Sequence, residues 1–104
     1  MFVAKVTGSV VATQKVEELV GSKLMVVEPY RLEAKKRESL STTGRTFVAI
    51  DTIGAGEGDF VLIVQGSSSR LTDQTKGMPI DALIIGIVDT VHVVDNCVFD
   101  RDET

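Results

Sequence analysis

The sequence predicts an all-β protein, and two observations predict it. Apolar residues either alternate at a period of two, as in residues 2–13, or form short unbroken runs, as in residues 60–65, and both patterns are typical of β-strands. No segment carries the apolar stripe of an amphipathic helix over a helical length. Short strands in a chain of this size favour a small barrel, because closing the sheet removes exposed strand edges.

Five main strands and a short sixth follow from this pattern. The predicted elements are a strand at 2–13, a helical turn at 15–21, strands at 23–28, 46–51 and 60–65, a helical turn within 66–79, a long strand at 81–94 and a short strand at 97–100. The unbroken run of the fourth strand predicts burial on both of its faces.

Glycine and proline set the predicted breaks. Gly8 and Gly86 predict bends within their strands, and Pro29 predicts the end of the second strand. Residues 30–45 are polar and charged, which predicts a long surface loop, and the acidic tail at 100–104 is expected to fray. Five main strands with one or two short helical turns suit an OB-like five-stranded β-barrel.

Composition limits the possible functions. The 104 residues predict a single domain, 1–104, and the 43% hydrophobic content predicts apolar surface that a partner chain covers. The formal net charge of −4 argues against nucleic acid as a partner. The sequence has no apolar run of about 18 residues that would span a membrane. Residues 1–20 lack a signal peptide's apolar core, so we expect a cytoplasmic protein.

The segment 53–60, IGAGEGDF, carries glycine at every second position. A dinucleotide-binding loop needs glycine at its sixth position and a helix after it. Asp59 stands at that position and a strand follows, so the pattern does not favour a nucleotide site. We expect Gly54, Gly56 and Gly58 to form a tight connection that requires positive φ.

No catalytic residue, cofactor site or metal site is predicted. His92 and Cys97 are the only histidine and cysteine, which disfavours zinc and iron sites and excludes an internal disulfide. A small enzyme using a His92–Cys97 dyad stays a hypothesis, but no orienting group accompanies the pair. We expect Cys97 to fill a small apolar space and His92 to be a partly exposed strand residue. No spacing marks two of the aspartates as a catalytic pair.

The segment 66–70, GSSSR, has two interpretations. In the first, Ser67 or Ser68 caps a helical turn and Arg70 is solvated. In the second, the hydroxyls and the arginine contact a neighbouring subunit, since arginine is enriched in interfaces. The residues alone favour neither.

Four segments together resemble the bacterial microcompartment vertex family of the EutN/CcmL type. They are AKVTGSVVAT (4–13), KLMVVE (23–28), VAIDTIGAGEGDFVLIVQGSSSR (48–70) and PIDALIIGIVDTV (79–91). The resemblance covers most of the chain and lapses over 30–45 and at the C-terminus. It implies an OB-like barrel that forms a ring, usually a pentamer with a hexamer as the alternative. Such rings occupy the vertices of polyhedral shells in the cytoplasm, beside hexameric facet shell proteins.

The resemblance also implies an interface. The residues expected at or near contacts with neighbouring subunits or facet proteins are Ser67, Ser68, Ser69, Arg70, Pro79 and Asp81, and the glycine loop is expected to pack beside a neighbour. Ser69 departs from the alanine that the family often has. The family is structural, so the resemblance implies neither an enzyme activity nor a cofactor. The competing hypothesis is an OB-fold module that binds single-stranded nucleic acid or an oligosaccharide.

Overall fold

The computed structural model describes residues 1–32, 40–77, 80–93 and 96–102. The strands are β1 (Phe2–Val10), β2 (Lys23–Leu32), β3 (Leu40–Thr42), β4 (Phe47–Asp51), β5 (Phe60–Gln65), β6 (Ala82–Ile87), β7 (Thr90–Val93) and β8 (Asn96–Asp100). Two 3-10 turns span Glu17–Leu19 and Gly66–Arg70. None of the helices in these ranges is long and apolar enough to cross a membrane.

Five strands close into a barrel, as predicted. Their order is β1-β5-β6-β4-β2, and β2 pairs with β1 to complete the ring. All pairings in the ring are antiparallel except the one between β4 and β6, which is parallel. The strand β3 extends the sheet beyond β2, and β7 and β8 form a separate hairpin.

The barrel interior is filled by small and branched apolar side chains at alternate positions of the strands. The interior residues with at most 4% exposure are Ala4, Val6, Met25, Val27, Ala49, Val61, Ile63, Ala82 and Ile84. Large side chains face small ones across the ladders, as where Met25 lies opposite Ala49. Full burial of each large side chain stabilises the fold by about 1.5–3 kcal/mol, so this interior is the main source of stability.

Two predictions around the second strand were wrong. Pro29 does not end β2, which continues to Leu32. Pro29 pairs with Ala4 of β1, and on the other edge of β2 it lies between the last β2–β4 pair, at Val27, and the first β2–β3 pair, at Tyr30, so its missing N–H interrupts neither of the latter two ladders. Its carbonyl accepts a hydrogen bond from the Thr43 N–H. The predicted loop 30–45 is therefore partly strand, and its segment 33–39 lies outside the described residues.

The long strand predicted at 81–94 is two strands. The strand β6 ends at Ile87 and β7 begins at Thr90, and the last hydrogen bond towards β5 runs from the Val88 N–H to the Phe60 carbonyl. The bends predicted at glycine are confirmed, since the ladder registers shift beside Gly8 in β1 and beside Gly86 in β6. Residue 94 lies outside the described part of the chain.

The β7–β8 hairpin is held against the barrel by aromatic contacts. The Phe99 ring of β8 packs on Phe60 with 4.4 Å between centroids, and Tyr30 meets the same Phe60 ring edge-on at 5.1 Å. An isolated two-stranded hairpin is marginal in water, so this contact anchors it.

An ion pair closes the open end of the hairpin. The Arg101 Nη1 donates to Asp89 Oδ1 at 2.9 Å, and the Arg101 N–H donates to the Asp89 carbonyl. The prediction that the tail frays is therefore wrong for residue 101. The hydrogen bond and charge of Asp89 raise the pKa of Arg101. Because the folded-state pKa of Arg101 is the higher one, the contribution from its charge is lost in strong alkali, as the pH rises through that pKa.

We predict that Phe99→Ala loosens the hairpin and leaves the barrel closed. The ring is half-buried, so the free energy of unfolding should fall by about 1–2 kcal/mol, less than for a fully buried phenylalanine. Amide exchange should accelerate in β7 and β8 and stay unchanged in β1. Val98→Ala is the control, because Val98 does not line the space between hairpin and barrel. Equal exchange in the two variants would contradict the anchoring role.

Candidate subunit interface

The glycine loop is a hydrogen-bonded turn between β4 and β5. Gly54 and Gly58 both have φ of +92°, a conformation that side chains with a Cβ rarely adopt. The Gly58 N–H donates to the Val6 carbonyl at 2.8 Å, which ties the loop to β1. Gly56 differs from the prediction, because its φ is not positive. Its N–H donates instead to Asp59 Oδ2 at 2.9 Å.

A buried carboxylate lies beneath this loop, and sequence reasoning missed it. The Asp51 side chain is fully buried; its Oδ1 accepts the Ile53 N–H and its Oδ2 lies 3.3 Å from Lys23 Nζ. Lys23 also donates to the carbonyl of Ala55, which is itself fully buried. The ammonium thus joins the end of β4 to the loop and compensates the buried charge. The only sequence signal for this ion pair was the alternating pattern of β2. That pattern places Lys23 opposite Asp51, but only once the pairing of β2 with β4 is known.

The GSSSR turn is a 3-10 turn fastened to the segment that follows it. Ser69 is fully buried, and its hydroxyl donates to the Gly66 carbonyl at 2.6 Å and the Ile80 carbonyl at 3.3 Å. The Gly66 N–H donates to the Asp81 carbonyl at 2.8 Å. Arg70 Nη1 donates to the Ile80 carbonyl at 2.7 Å.

The capping role predicted for Ser67 or Ser68 was wrong. The N-cap position is Gln65, and no side chain caps the turn. The turn is closed from within by the Ser69 hydroxyl, so the first two serines stay exposed to solvent.

The fold brings most of the predicted interface residues together. Ser67, Ser68, Arg70 and Asp81 are exposed on one connected turn, whereas Ser69 is buried within its own chain. Pro79 lies outside the described residues. The glycine loop is a separate segment, and Gly54 and Gly58 are exposed there.

An apolar groove adjoins this turn on the outer side of the barrel. Its volume is about 210 Å³, and the residues lining it are Leu19, Leu24, Val48, Ala49, Ile50, Ile80, Asp81 and Ala82. Ile50 and Leu83 pair across β4 and β6 and are nearly fully buried, although they alternate with interior residues. Val48 on the same outer face is 50% exposed. The groove is thus part of a second apolar layer outside the barrel, which this chain alone buries only in part.

The arrangement of His92 and Cys97 does not support the enzyme hypothesis. His92 and Cys97 are register partners in the hairpin, but both are exposed, and the Cys97 thiol bonds the Phe99 carbonyl instead. The expectation that Cys97 fills an apolar space was therefore wrong, and the expectation of an exposed His92 is confirmed. Within the described ranges, no group of three histidine, cysteine or acidic side chains could hold a metal ion.

We predict that Gly54→Ala and Gly58→Ala each lower the free energy of unfolding by about 1–2 kcal/mol, because a Cβ is strained at positive φ. Gly56→Ala is the matched control and should change it by less than about 0.5 kcal/mol, since its Cβ would meet Asp59 Oδ2 at an ordinary 3.9 Å. Urea unfolding at fixed protein concentration measures both. Three equal losses would show that φ is not the constraint.

We also predict that Ser69→Ala costs about 1 kcal/mol of unfolding free energy, because it removes the hydroxyl that closes the turn. Ser68→Ala, at an exposed position of the same turn, should be near neutral. Native mass spectrometry should find the same oligomer for both variants. Loss of the oligomer in Ser69→Ala without loss of stability would contradict an intramolecular role.

The chain resembles known proteins over nearly its full length. The family profile described as ethanolamine utilisation protein EutN/carboxysome matches residues 1–89. GrpN of Rhodospirillum rubrum, a bacterial microcompartment shell vertex protein, is 44% identical over 95 residues, which cover 91% of this chain and 100% of GrpN.

Solved structures agree. The structure of GrpN, a pentameric microcompartment shell protein from Rhodospirillum rubrum, matches with a TM-score of 0.74 and 46% identity, covering 90% of this chain and 100% of that one. CcmL of Gloeobacter violaceus matches with a TM-score of 0.86 and 30% identity, covering 99% and 100%. The hairpin β7–β8 begins just after the family match ends at residue 89. With sequence and fold in agreement, this chain belongs to the EutN/CcmL family.

Proposed function

We propose that this chain is a shell vertex protein of a bacterial microcompartment and assembles as a homopentamer. The observation that carries the proposal is the similarity to GrpN. GrpN is a pentameric shell protein, and the match to this chain covers 100% of it. A closed shell with flat hexagonal facets needs five-fold units to supply curvature. A ring of five copies uses two different faces of each subunit, so the chain must carry two complementary surfaces.

The exposed apolar side chains support assembly. Those with at least 38% exposure are Met1, Val11, Val16, Val20, Val48, Ile53, Leu71 and Ile85. Val48 lines the apolar groove, and Ile53 is the first residue of the glycine loop. Covering Val48 and Ile53 with a neighbour would remove apolar surface from water, which is the main driving force of stable association.

Polar residues at the groove's edge complete the proposed contact. Asp81 lines the groove, and Ser67, Ser68 and Arg70 are exposed on the turn bonded to it. We infer that these residues form a polar rim around an apolar centre, the usual arrangement of a subunit interface. Pro79 is proposed to join them. The exposed glycines of the β4–β5 loop, which lack side chains, are proposed to let a neighbour approach closely.

The proposed role is structural. It places the ring in the shell of a compartment in the bacterial cytoplasm, beside hexameric facet proteins, and it requires no catalysis and no cofactor. None of the relatives described above favours the alternative of a nucleic-acid or oligosaccharide module.

We predict that native mass spectrometry of the purified chain finds five times the chain mass. Val48→Lys should shift the population to monomer, because it places an ammonium in the groove that a neighbour covers. Circular dichroism should stay that of a folded β protein, since Val48 is half-exposed and lies outside the interior.

Val11→Lys serves as the control, because Val11 is 89% exposed and does not line the groove. A wild-type mass of six chains would replace the pentamer by a hexamer. A stable monomer would overturn the proposed assembly altogether. If Val48→Lys still forms intact rings, the groove is not part of the interface.

A further inference from the structure

A cavity distinct from the apolar groove lies at one end of the barrel, where Phe2 and Phe47 pack against the interior. The cavity has a volume of about 400 Å³ and is lined by Phe2, Pro29, Arg31, Thr43, Arg45, Phe47 and Gln65. We call it the barrel mouth. A cavity of this size is within the range that holds small ligands.

The floor of the barrel mouth is aromatic. The rings of Phe2 and Phe47 lie 6.0 Å apart between centroids, are tilted by 46° and are only half-buried. Both pack against the barrel interior from its end. Their outer faces therefore remain available to an apolar group that enters the mouth.

The rim of the barrel mouth is cationic. Arg31 and Arg45 are both exposed and both line it, and no acidic residue is among its described lining residues. This contrasts with a chain whose formal net charge is −4. The cavity beneath the β7–β8 hairpin, by comparison, contains Asp59 beside Lys5 and Arg101.

These two arginines also differ from Arg70 and Arg101 in how they are bonded. Arg101 is paired with Asp89, and Arg70 donates to the Ile80 carbonyl. Among the described residues, the guanidinium groups of Arg31 and Arg45 have neither a carboxylate nor a carbonyl acceptor. Guanidinium groups bind carboxylate and phosphate through two parallel hydrogen bonds, so this pair provides an anion site without a protein anion.

Polar side chains beside the arginines can fix an anion's orientation. The exposed Gln65 amide faces the same cavity, and the Thr43 hydroxyl accepts the Arg45 N–H at 3.4 Å, which leaves its own proton to donate. The Thr43 N–H is bonded to the Pro29 carbonyl, which holds this side of the rim to β2.

We propose that the barrel mouth binds a small organic anion, with a carboxylate or phosphate group between Arg31 and Arg45 and a short apolar body against Phe2 and Phe47. None of the described residues lines both the barrel mouth and the apolar groove, so the site goes beyond the vertex role. The recognised chemistry is the pairing of one anionic group with one apolar group within a few ångströms.

Titration of the ¹⁵N-labelled full-length protein with phenylphosphonate and with benzoate tests the proposal. We expect saturable shifts of the Phe2, Phe47 and Gln65 amides, with a dissociation constant on the order of 1 mM for the better probe. Comparing the two probes distinguishes a phosphate-type ligand from a carboxylate. Inorganic phosphate, which lacks the apolar body, and benzyl alcohol, which lacks the charge, should each bind at least about tenfold more weakly.

The variant Arg31→Gln/Arg45→Gln should weaken binding by at least about tenfold. Lys5→Gln/Lys76→Gln removes the same charge away from the mouth and should change the affinity by less than about twofold. Equal weakening in both variants would show that the effect comes from the net charge alone and not from the two arginines at the mouth. Absence of saturable shifts, or inorganic phosphate binding as tightly as phenylphosphonate, would overturn the site. The oligomeric mass, measured separately, decides the vertex role independently.

Discussion

The parallel pairing of β4 with β6 is the constraint on which the rest of the structure depends. It closes the barrel through only two register pairs, Ile50 with Leu83 and Asp51 with Ile84. Parallel neighbours cannot be joined by a tight hairpin, so the chain must leave β4, form β5 and return to β6. The two connections on that path are the glycine loop and the GSSSR turn. The segments proposed for assembly therefore serve barrel closure first, which explains why their glycines and Ser69 are bonded within the chain.

The fold could be predicted from the sequence because apolar periodicity reports directly on strands. Residues 60–65 are the clearest case, since their run matches β5. The errors arose where pairing partners override local signals. Pro29 fits a strand because the β2–β4 ladder ends before it and the β2–β3 ladder begins after it, while its pairing with Ala4 of β1 continues, and β3 is recognisable only once β2 extends to meet it. The hairpin's Phe99 contact depends on Phe60, a residue far away in sequence, and no local pattern could have placed it.

The candidate sites were predictable to different degrees. The motif GSSSR predicted one contact surface, but its serines divide into the exposed Ser67 and Ser68 and the buried Ser69, and only the three-dimensional contacts separate them. The barrel mouth had no sequence signal. Arg31 and Arg45 are far apart in sequence, and they share a cavity because β2 and the turn after β3 meet at one end of the barrel.

Charge placement separates the two ends of the barrel. At the glycine-loop end, the buried Asp51 carboxylate is paired with Lys23, although its Oδ2 accepts no hydrogen bond from the described residues. At the mouth, two guanidinium groups stand at the rim of an aromatic floor, and the described lining supplies no anion. Burying an uncompensated cation is costly, so any partner that covers the mouth must bring negative charge with it. If the ring forms through the apolar groove, the groove can be covered by an identical subunit while the mouth remains open to an anion from solution.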